Sequence, residues 1–188
     1  QVGRETKKME QDEEPFRAKL EKFPDLKPAF QKEGTITAAN ASSLSDGAAA
    51  LVLCSEDYLK KHNLKPMAKI VAQASHAQAP EWFTTAPIGA IQKVLQKANL
   101  KTTDIDCYEI NEAFSVVSLV CVKDLNLDLK KVNPRGGAVA LGHPIGASGA
   151  RILTTLLHTL KQENKTLGVA TLCIGGGEGS ALLVSRDV

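Results

Sequence analysis

Three short segments place a reactive or polar side chain where a predicted strand ends. They are Asn111-Glu-Ala-Phe, Gly142-His-Pro-Ile-Gly-Ala-Ser-Gly and Cys173-Ile-Gly-Gly-Gly. Strand ends are the usual place for ligands in α/β folds. Imidazole and thiol groups can exchange protons with a substrate, and the N–H groups of consecutive glycines can hold an oxyanion. The three segments are therefore candidates for acid–base chemistry beside a stabilised negative charge.

Each segment also has a purely structural explanation. His143 precedes a predicted helix, where it can cap or pack, although the helix dipole there disfavours the imidazolium and suits a neutral base. Cys173 can be a buried thiol in front of a flexible hairpin. Asn111 can be an ordinary N-cap, with Glu112 as the acidic residue of the first turn. Taken one at a time, the segments leave both explanations open.

The elements that must position these segments alternate between strands and helices. Apolar runs predict strands over residues 48–54, 68–75, 105–110, 168–174 and 181–185, and the last two suggest a hairpin. Periodic patterns predict helices over residues 55–63, from Pro87 to Ala98, over 111–125 and after the Gly-Ala-Ser-Gly run. Ser55 is expected to be the N-cap of the first helix. This alternation predicts an α/β fold with helices packed on a layered, mixed β-sheet.

The composition is that of an ordinary globular protein and excludes several classes of partner. The chain has 188 residues, 43% of them hydrophobic and 23% charged, with a net charge of +2. We therefore expect no nucleic-acid or membrane partner, and the longest apolar stretch, residues 113–122, is about half of a spanning helix. The four cysteines have no paired or metal-like spacing, so we expect free, mostly buried thiols, no metal and a cytoplasmic location.

The start of the chain differs in character from the rest. Residues 1–33 are charged and interrupted by prolines, which predicts an irregular arm rather than a core element. The first residue is Gln1 rather than Met, and this suggests a fragment of a longer chain. From Gly34 the sequence becomes small and polar, and then it enters the apolar run over residues 48–54.

In their order and separation, the three segments resemble the C-terminal half of thiolases. The resemblance also includes Gly34-Thr-Ile-Thr-Ala-Ala-Asn-Ala-Ser-Ser-Leu-Ser-Asp-Gly and extends over residues 28–187. Thiolases join or cleave acyl-CoA thioesters by Claisen chemistry, through an acyl group carried on a nucleophilic cysteine. The resemblance implies a thiolase-like fold and an acyltransferase that has the CoA thioester as substrate and needs no cofactor.

The resemblance assigns roles to four residues. His143 matches the histidine that activates the nucleophilic cysteine and helps to hold a thioester oxygen, and Asn111 matches the residue that positions a water in the same oxyanion hole. Cys173 matches a second cysteine, the acid–base group for the proton α to the thioester. The backbone N–H of Gly175 would contribute to another oxyanion hole.

A further set of residues is implied to contact the pantetheine arm or the acyl group. Ser42, with Ala38 and Leu44 nearby, matches the loop against pantetheine, and the passage would be lined by Phe30, Phe83, Phe114 and Ile145. Two positions depart from the family pattern. Phe83 stands where acetoacetyl-CoA thiolases often have Met, and Ser43 replaces a common glycine.

Thiolases are roughly twice as long as this chain, and the motif of their nucleophilic cysteine lies in the first half. The resemblance therefore implies that residues 1–54 are the tail of the N-terminal domain, with its last strand, and that residues 55–188 are the C-terminal domain. We expect the chain alone to be inactive, and its partners to be acyl-CoA, the missing half and further copies in a homodimer or homotetramer. One alternative is a non-catalytic acyl-CoA or lipid binder. The other is a β-ketoacyl synthase-type enzyme, and the Asn-Glu-Ala-Phe and Cys-Ile-Gly-Gly-Gly segments argue against this second alternative.

Overall fold

The computed structural model describes residue 8 and residues 10–188. Within this range the helices are α1 (Glu14–Arg17), α2 (Glu56–His62), α3 (Ala86–Ala98), α4 (Ser115–Asp124), α5 (Ala138–Leu141) and α6 (Ser148–Gln162). The strands are β1 (Lys69–Ala77), β2 (Cys107–Ile110), β3 (Leu167–Ile174) and β4 (Glu178–Ser185). Short 3-10 turns occupy Leu20–Asp25, Pro80–Thr85, Thr102–Asp104 and Leu129–Lys131.

The four strands form one mixed sheet in the order β1-β4-β3-β2. β4 pairs antiparallel with both β1 and β3, whereas β2 pairs parallel with β3. The expected hairpin is confirmed, because β3 and β4 are joined by a three-residue turn over residues 175–177. The parallel pair places the carboxyl ends of β2 and β3 at the same edge of the sheet, and Asn111 and Cys173 both lie there.

Helices cover both faces of this sheet, and alternate residues of each strand reach different cores. One apolar cluster joins the sheet to α3 and α4 and includes Tyr108, Val169 and Leu183. The other joins it to α6 and includes the neighbouring residues, Cys107, Ala170 and Val184. This period-two division is what a strand buried on both faces requires. The predicted mixed sheet with helices packed on it is confirmed.

Local signals in the sequence account for the helix ends. The Ser55 hydroxyl accepts a hydrogen bond from the Tyr58 N–H at 3.2 Å, so the predicted N-cap of α2 is confirmed. Pro87 lies in the first turn of α3, where its missing N–H is harmless. Asn99 ends that helix in the left-handed conformation, with φ 53°.

Two predicted elements are wrong. Residues 48–54 form no strand, and Val52 and Leu53 are exposed by 97% and 72%. An apolar run becomes a buried strand only where other strands pair with it, and within the described residues none lies beside this one. The helix predicted from residue 111 begins four residues later, at Ser115, because residues 111–114 form a connection with a bend at Ala113 and an extended Phe114.

The lead-in arm agrees with its prediction over the residues that the structure describes. Between residues 10 and 33 it contains only α1 and one 3-10 turn, and both leave their apolar side chains, among them Phe16 and Leu20, exposed. The non-Met start of the chain lies outside the described residues. No helix in residues 10–188 has the length and apolar character that crossing a bilayer requires.

Candidate active site

Asn111 follows the last residue of β2 and is fixed by the neighbouring strand. Its backbone N–H donates to the Thr171 carbonyl at 2.9 Å, and the residue is 1% exposed. The strand end is held from the other side by Asn133, whose amide accepts from the Ile110 N–H and donates to the Ile110 carbonyl, both at 2.8 Å. Asn111 is therefore not the N-cap of α4, and its buried amide is aimed at other side chains.

His143 lies in the loop between α5 and α6, and its ring orientation is set by Ser148. The backbone N–H of His143 donates to the Ser43 carbonyl at 3.0 Å, and Nδ1 lies 2.6 Å from the Ser148 Oγ. The Ser148 hydroxyl donates its one proton to the Pro144 carbonyl at 3.0 Å. Ser148 must then accept a hydrogen bond from the ring, so Nδ1 carries the hydrogen and Nε2 is left free to act as a base.

The free nitrogen of His143 faces Asn111. Asn111 Nδ2 and His143 Nε2 are 3.5 Å apart, at the limit of hydrogen-bond distance. Burial lowers the pKa of His143, and the positive charge of Arg151 lowers it further. The imidazole is therefore held neutral, as a proton acceptor must be.

A buried ion pair lies directly behind this contact. Arg151, in the first turn of α6, donates through Nη2 to Asn111 Oδ1 at 3.4 Å, and its Nη1 is 3.9 Å from Glu109 Oε2. Glu109 belongs to β2 and is 1% exposed. Burial raises the pKa of Glu109 to about 7, against the opposing effect of Arg151.

Glu112 has a different role from the one its position suggested. Its carboxylate accepts from the Val139 N–H at 3.3 Å and from the Ser118 hydroxyl at 3.4 Å, so it joins the start of α5 to α4. It therefore stabilises the segment that leads to His143, and the helix dipole of α4 does not explain its presence.

Cys173 lies near the end of β3, two residues beyond the residue that accepts the Asn111 N–H. Its side chain is half-buried and, like Ala113 and Phe114, packs against the apolar cluster between the sheet and the helices α3 and α4. Burial raises the pKa of Cys173, so the group is a neutral thiol at neutral pH. Of the remaining cysteines, Cys107 and Cys121 are buried as expected, whereas Cys54 is exposed, contrary to expectation.

The glycine turn after Cys173 is closed without the N–H of Gly175. The bond that closes it runs from the Gly177 N–H to the Ile174 carbonyl at 3.0 Å, and Gly177 has φ 101°, as the third residue of such a hairpin requires. Gly175 is exposed, and no other atom lies within 4 Å of where its Cβ would be. Its face of the turn is open to a ligand.

Residues 40–44, which we call the strap, connect the loops of Asn111 and His143. The Ser115 N–H donates to the Asn40 carbonyl at 2.9 Å, and the Ser42 hydroxyl donates to the Ala113 carbonyl at 2.9 Å. At its other end the strap makes a parallel bridge between Leu44 and His143. The predicted pantetheine residues Ser42 and Leu44 thus lie beside the catalytic candidates, and Ala38 is exposed just ahead of them.

The predicted aromatic residues form one cluster. The ring of Phe114 lies edge-on to Phe30, with centroids 5.6 Å apart, and to Phe83, with centroids 6.3 Å apart. Leu44 and Ile145 border His143 on the other side and are 84% and 66% exposed. These two residues, with Ser45, Asp46 and His143, line a depression of about 320 Å³.

Sequence reasoning missed Ser148, Arg151 and Glu109. The signal for Ser148 and Arg151 was their position at the start of the helix that follows His143, with a spacing of i and i+3 that places both on one face. The signal for Glu109 was a carboxylate in the otherwise uncharged strand Cys-Tyr-Glu-Ile, where burial requires a partner. In the described part of the chain, no group of three or more His, Cys, Asp or Glu side chains could hold a metal ion.

Comparison with known proteins identifies the family of the chain. The model of the thiolase C-terminal domain matches residues 64–186, and that of the thiolase N-terminal domain matches residues 1–57. The chain therefore belongs to the thiolase family.

Among its relatives, a probable acetyl-CoA acetyltransferase of Dictyostelium discoideum is 50% identical over 176 residues, which are 94% of this chain and 42% of that protein. The crystal structure of Acat5 thiolase from Ascaris suum in complex with coenzyme A superposes with a TM-score of 0.89 at 52% identity, over 94% of this chain and 46% of that one. Human mitochondrial 3-ketoacyl-CoA thiolase superposes with a TM-score of 0.84 at 40% identity, over 92% and 44%. The chain spans less than half the length of each of these proteins.

Proposed function

We propose that this chain is part of an acyltransferase that condenses two acyl-CoA molecules, or cleaves a 3-ketoacyl-CoA with coenzyme A. The observation that carries the proposal is the contact between Asn111 and His143, with the imidazole held neutral and its Nε2 free, at the sheet edge where Cys173 also lies. Relatives named acetyl-CoA acetyltransferase and a relative solved with coenzyme A support the same substrate class.

In this proposal His143 accepts the proton of a nucleophilic cysteine on Nε2. The imidazolium then carries hydrogen on both nitrogens, Nδ1–H donating to Ser148 and Nε2–H donating to the thioester oxygen. Asn111 Nδ2 is the second donor at the same place, either directly or through a water. Two donors prearranged where negative charge develops lower the barrier of acyl transfer.

Cys173 is proposed to move the proton α to the thioester. When the acyl-enzyme forms, the coenzyme A thiolate that leaves takes the proton of Cys173. The resulting Cys173 thiolate removes a proton from the acetyl group of the second acetyl-CoA, and the enolate attacks the acyl-enzyme carbonyl, so that a carbon–carbon bond forms and the nucleophilic thiolate leaves. In the cleavage direction the neutral Cys173 thiol returns the proton to the departing carbanion. The raised pKa of Cys173 suits the second role, and the open N–H of Gly175 is the candidate donor for the oxygen of that thioester.

The finer features of the function are part of the same proposal. We propose a short acyl chain, which relatives named acetyl-CoA acetyltransferase support. We propose that residues 1–54 belong to the N-terminal domain and residues 55–188 to the C-terminal domain, and that the nucleophilic cysteine lies outside this chain. We also propose that the protein is a cytoplasmic homodimer or homotetramer that acts in fatty acid metabolism without a cofactor.

The experiment compares the protein expressed from its complete coding sequence with the 188-residue chain. The complete protein should cleave acetoacetyl-CoA with coenzyme A, and mass analysis of peptides after acetyl-CoA treatment should find the acetyl group on one cysteine. The 188-residue chain should not turn over the same substrate. Binding of coenzyme A by the complete protein without turnover or acetylation would instead favour the non-catalytic acyl-CoA binder.

A further inference from the structure

The guanidinium of Arg151 occupies a position that electrostatics alone does not favour. Its side chain is 19% exposed and lies in the first turn of α6, where the helix dipole repels a cation. Burial lowers the pKa of Arg151, and its buried Nε and Nη1 have no hydrogen-bond partner in the described structure. Its side-chain hydrogen bond goes to Asn111 Oδ1.

That one bond decides which way the amide of Asn111 points. A guanidinium only donates hydrogen bonds, so the atom of Asn111 that faces Arg151 must be the oxygen. The Nδ2 of Asn111 then faces His143 Nε2 and can only donate to it. An amide turned by 180° would present its oxygen to His143 and favour the tautomer with hydrogen on Nε2, which cannot accept a proton there.

Glu109, in its ionised form, is the charged partner of Arg151. Its carboxylate is 1% exposed and 3.9 Å from Nη1, and Oε1 has no hydrogen-bond partner in the described structure. A pair with this many unsatisfied atoms is poor at stabilising the fold compared with an apolar pair of the same size. The position of the ion pair is explained by Asn111, because the Nη2 of Arg151 is directed toward Asn111 Oδ1.

We propose that Arg151, held by Glu109, is a positioning residue that fixes the amide of Asn111 and thereby the tautomer of His143. Ser148 fixes the same tautomer from the other side of the ring. Each hydrogen bond in the chain is therefore donated in the same direction, from Arg151 to Asn111, from Asn111 to His143 and from His143 to Ser148. The inference deepens the function proposed above, because a proton acceptor on Nε2 is what that function needs.

The test uses the protein from the complete coding sequence and two readouts. Neutron diffraction from crystals in D₂O locates deuterium on Nδ1 or Nε2 of His143 and distinguishes the oxygen of Asn111 from its nitrogen. Steady-state thiolysis of acetoacetyl-CoA gives kcat and KM separately. The wild type should carry deuterium on Nδ1 only, with Asn111 Oδ1 toward Arg151.

Arg151→Met should allow the amide of Asn111 to turn, so that part of the molecules carry deuterium on Nε2 of His143. The kcat should fall about 10- to 100-fold, the loss typical when a supporting partner of a site residue is removed, and KM should change little. Arg151→Lys keeps a donor and should retain the wild-type tautomer. Arg135→Met is the matched control, because Arg135 also acts electrostatically on Glu109 but bonds to Thr159, so tautomer and kcat should not change.

Because Arg151→Met leaves Glu109 unpaired, the double variant Glu109→Gln/Arg151→Met separates positioning from folding. If it restores thermal stability while the tautomer and kcat stay altered, the inference holds. If it restores kcat as well, or if either variant keeps the wild-type tautomer and amide, Arg151 only balances Glu109 and the inference is overturned. An inactive wild type with the expected deuterium pattern would contradict the proposed function and leave the inference standing.

Discussion

The side chains of Asn111 and His143, 32 positions apart in the sequence, meet at 3.5 Å between Nδ2 and Nε2. The contact requires that β2 end where the loop between α5 and α6 passes. It also requires a neutral ring, because the imidazolium would turn a hydrogen toward the amide hydrogens. Burial and the charge of Arg151 provide that condition by lowering the pKa of His143.

The first prediction concerns the pH dependence of this pair. Since the base works only when neutral and its pKa lies below the usual 6.5, the acid limb of kcat/KM that His143 controls should fall below pH 6.5. Asn111→Asp places a carboxylate beside the ring, raises the pKa of His143 and should move this limb to higher pH. Asn111→Ala should lower kcat about 10²- to 10³-fold without that movement. An acid limb at the same pH in Asn111→Asp and the wild type would contradict the assignment.

The second prediction concerns the hydroxyl that holds the other ring nitrogen. Ser148→Ala removes the acceptor of His143 Nδ1–H, so the tautomer loses one of its two supports and kcat should fall about 10- to 100-fold. The apparent melting temperature should change little, since one hydrogen bond contributes about 1 kcal/mol. Thr154→Val is the control, because it removes a hydroxyl of the same helix that bonds only to the Ala150 carbonyl. Equal effects of the two substitutions on kcat would argue against a role for Ser148.

The third prediction compares two glycines of one turn. Gly177 has φ 101°, and a Cβ there would meet the Gln78 carbonyl and Pro80, so Gly177→Ala should destabilise the protein by about 1–3 kcal/mol. Gly175 has open space around it, so Gly175→Ala should keep the melting temperature and change only turnover, because the new methyl group narrows the approach to its N–H. Thermal melts and kcat are measured on both. A Gly175→Ala protein with unchanged kcat and KM would mean that no substrate approaches this face of the turn.

The fourth prediction concerns the buried carboxyl behind the site. Burial raises the pKa of Glu109 from 4.5 to about 7, so between these pH values the folded protein binds more protons than the unfolded chain. Its contribution to the free energy of unfolding is complete below pH 4.5 and is lost as the pH rises through about 7. Glu109→Gln cannot ionise, so its stability relative to the wild type should rise by up to about 3 kcal/mol from pH 4.5 to pH 8. Melting temperatures of both proteins across this range test the sign, and parallel curves would contradict it.

Much of the fold could be predicted from the sequence because its signals are local. The Ser55 cap, the periodic stripe of α3 and the apolar runs of β1, β3 and β4 are readable from spacing alone. The run over residues 48–54 was misread because a strand exists only where its pairing partners lie, and spacing carries no information about partners. The start of α4 was misplaced because Asn111 has the residue type of an N-cap but is held by side chains distant in sequence.

The candidate site divides in the same way. Segments with glycines and reactive groups identified Asn111, His143 and Cys173, and the structure brings the first two into contact and puts the third on the adjacent strand. Their roles stay predictions. Ser148 and Arg151 were not found because a serine and an arginine early in a helix are ordinary surface residues unless the packing turns them inward. These two side chains point inward because α6 packs against β2, and no single segment of the sequence predicts that packing.

The strap has a thermodynamic consequence. Its backbone is bonded to the loop after β2 at one end and to His143 at the other, so fixing it fixes both. Ordering a residue costs about 1–2 kcal/mol of conformational entropy, and here five residues are ordered once for two purposes. In the function proposed above, a ligand that settles on Ser42 and Leu44 therefore binds a segment whose order is already shared with Asn111 and His143, so that recognition and preorganisation depend on the same five residues.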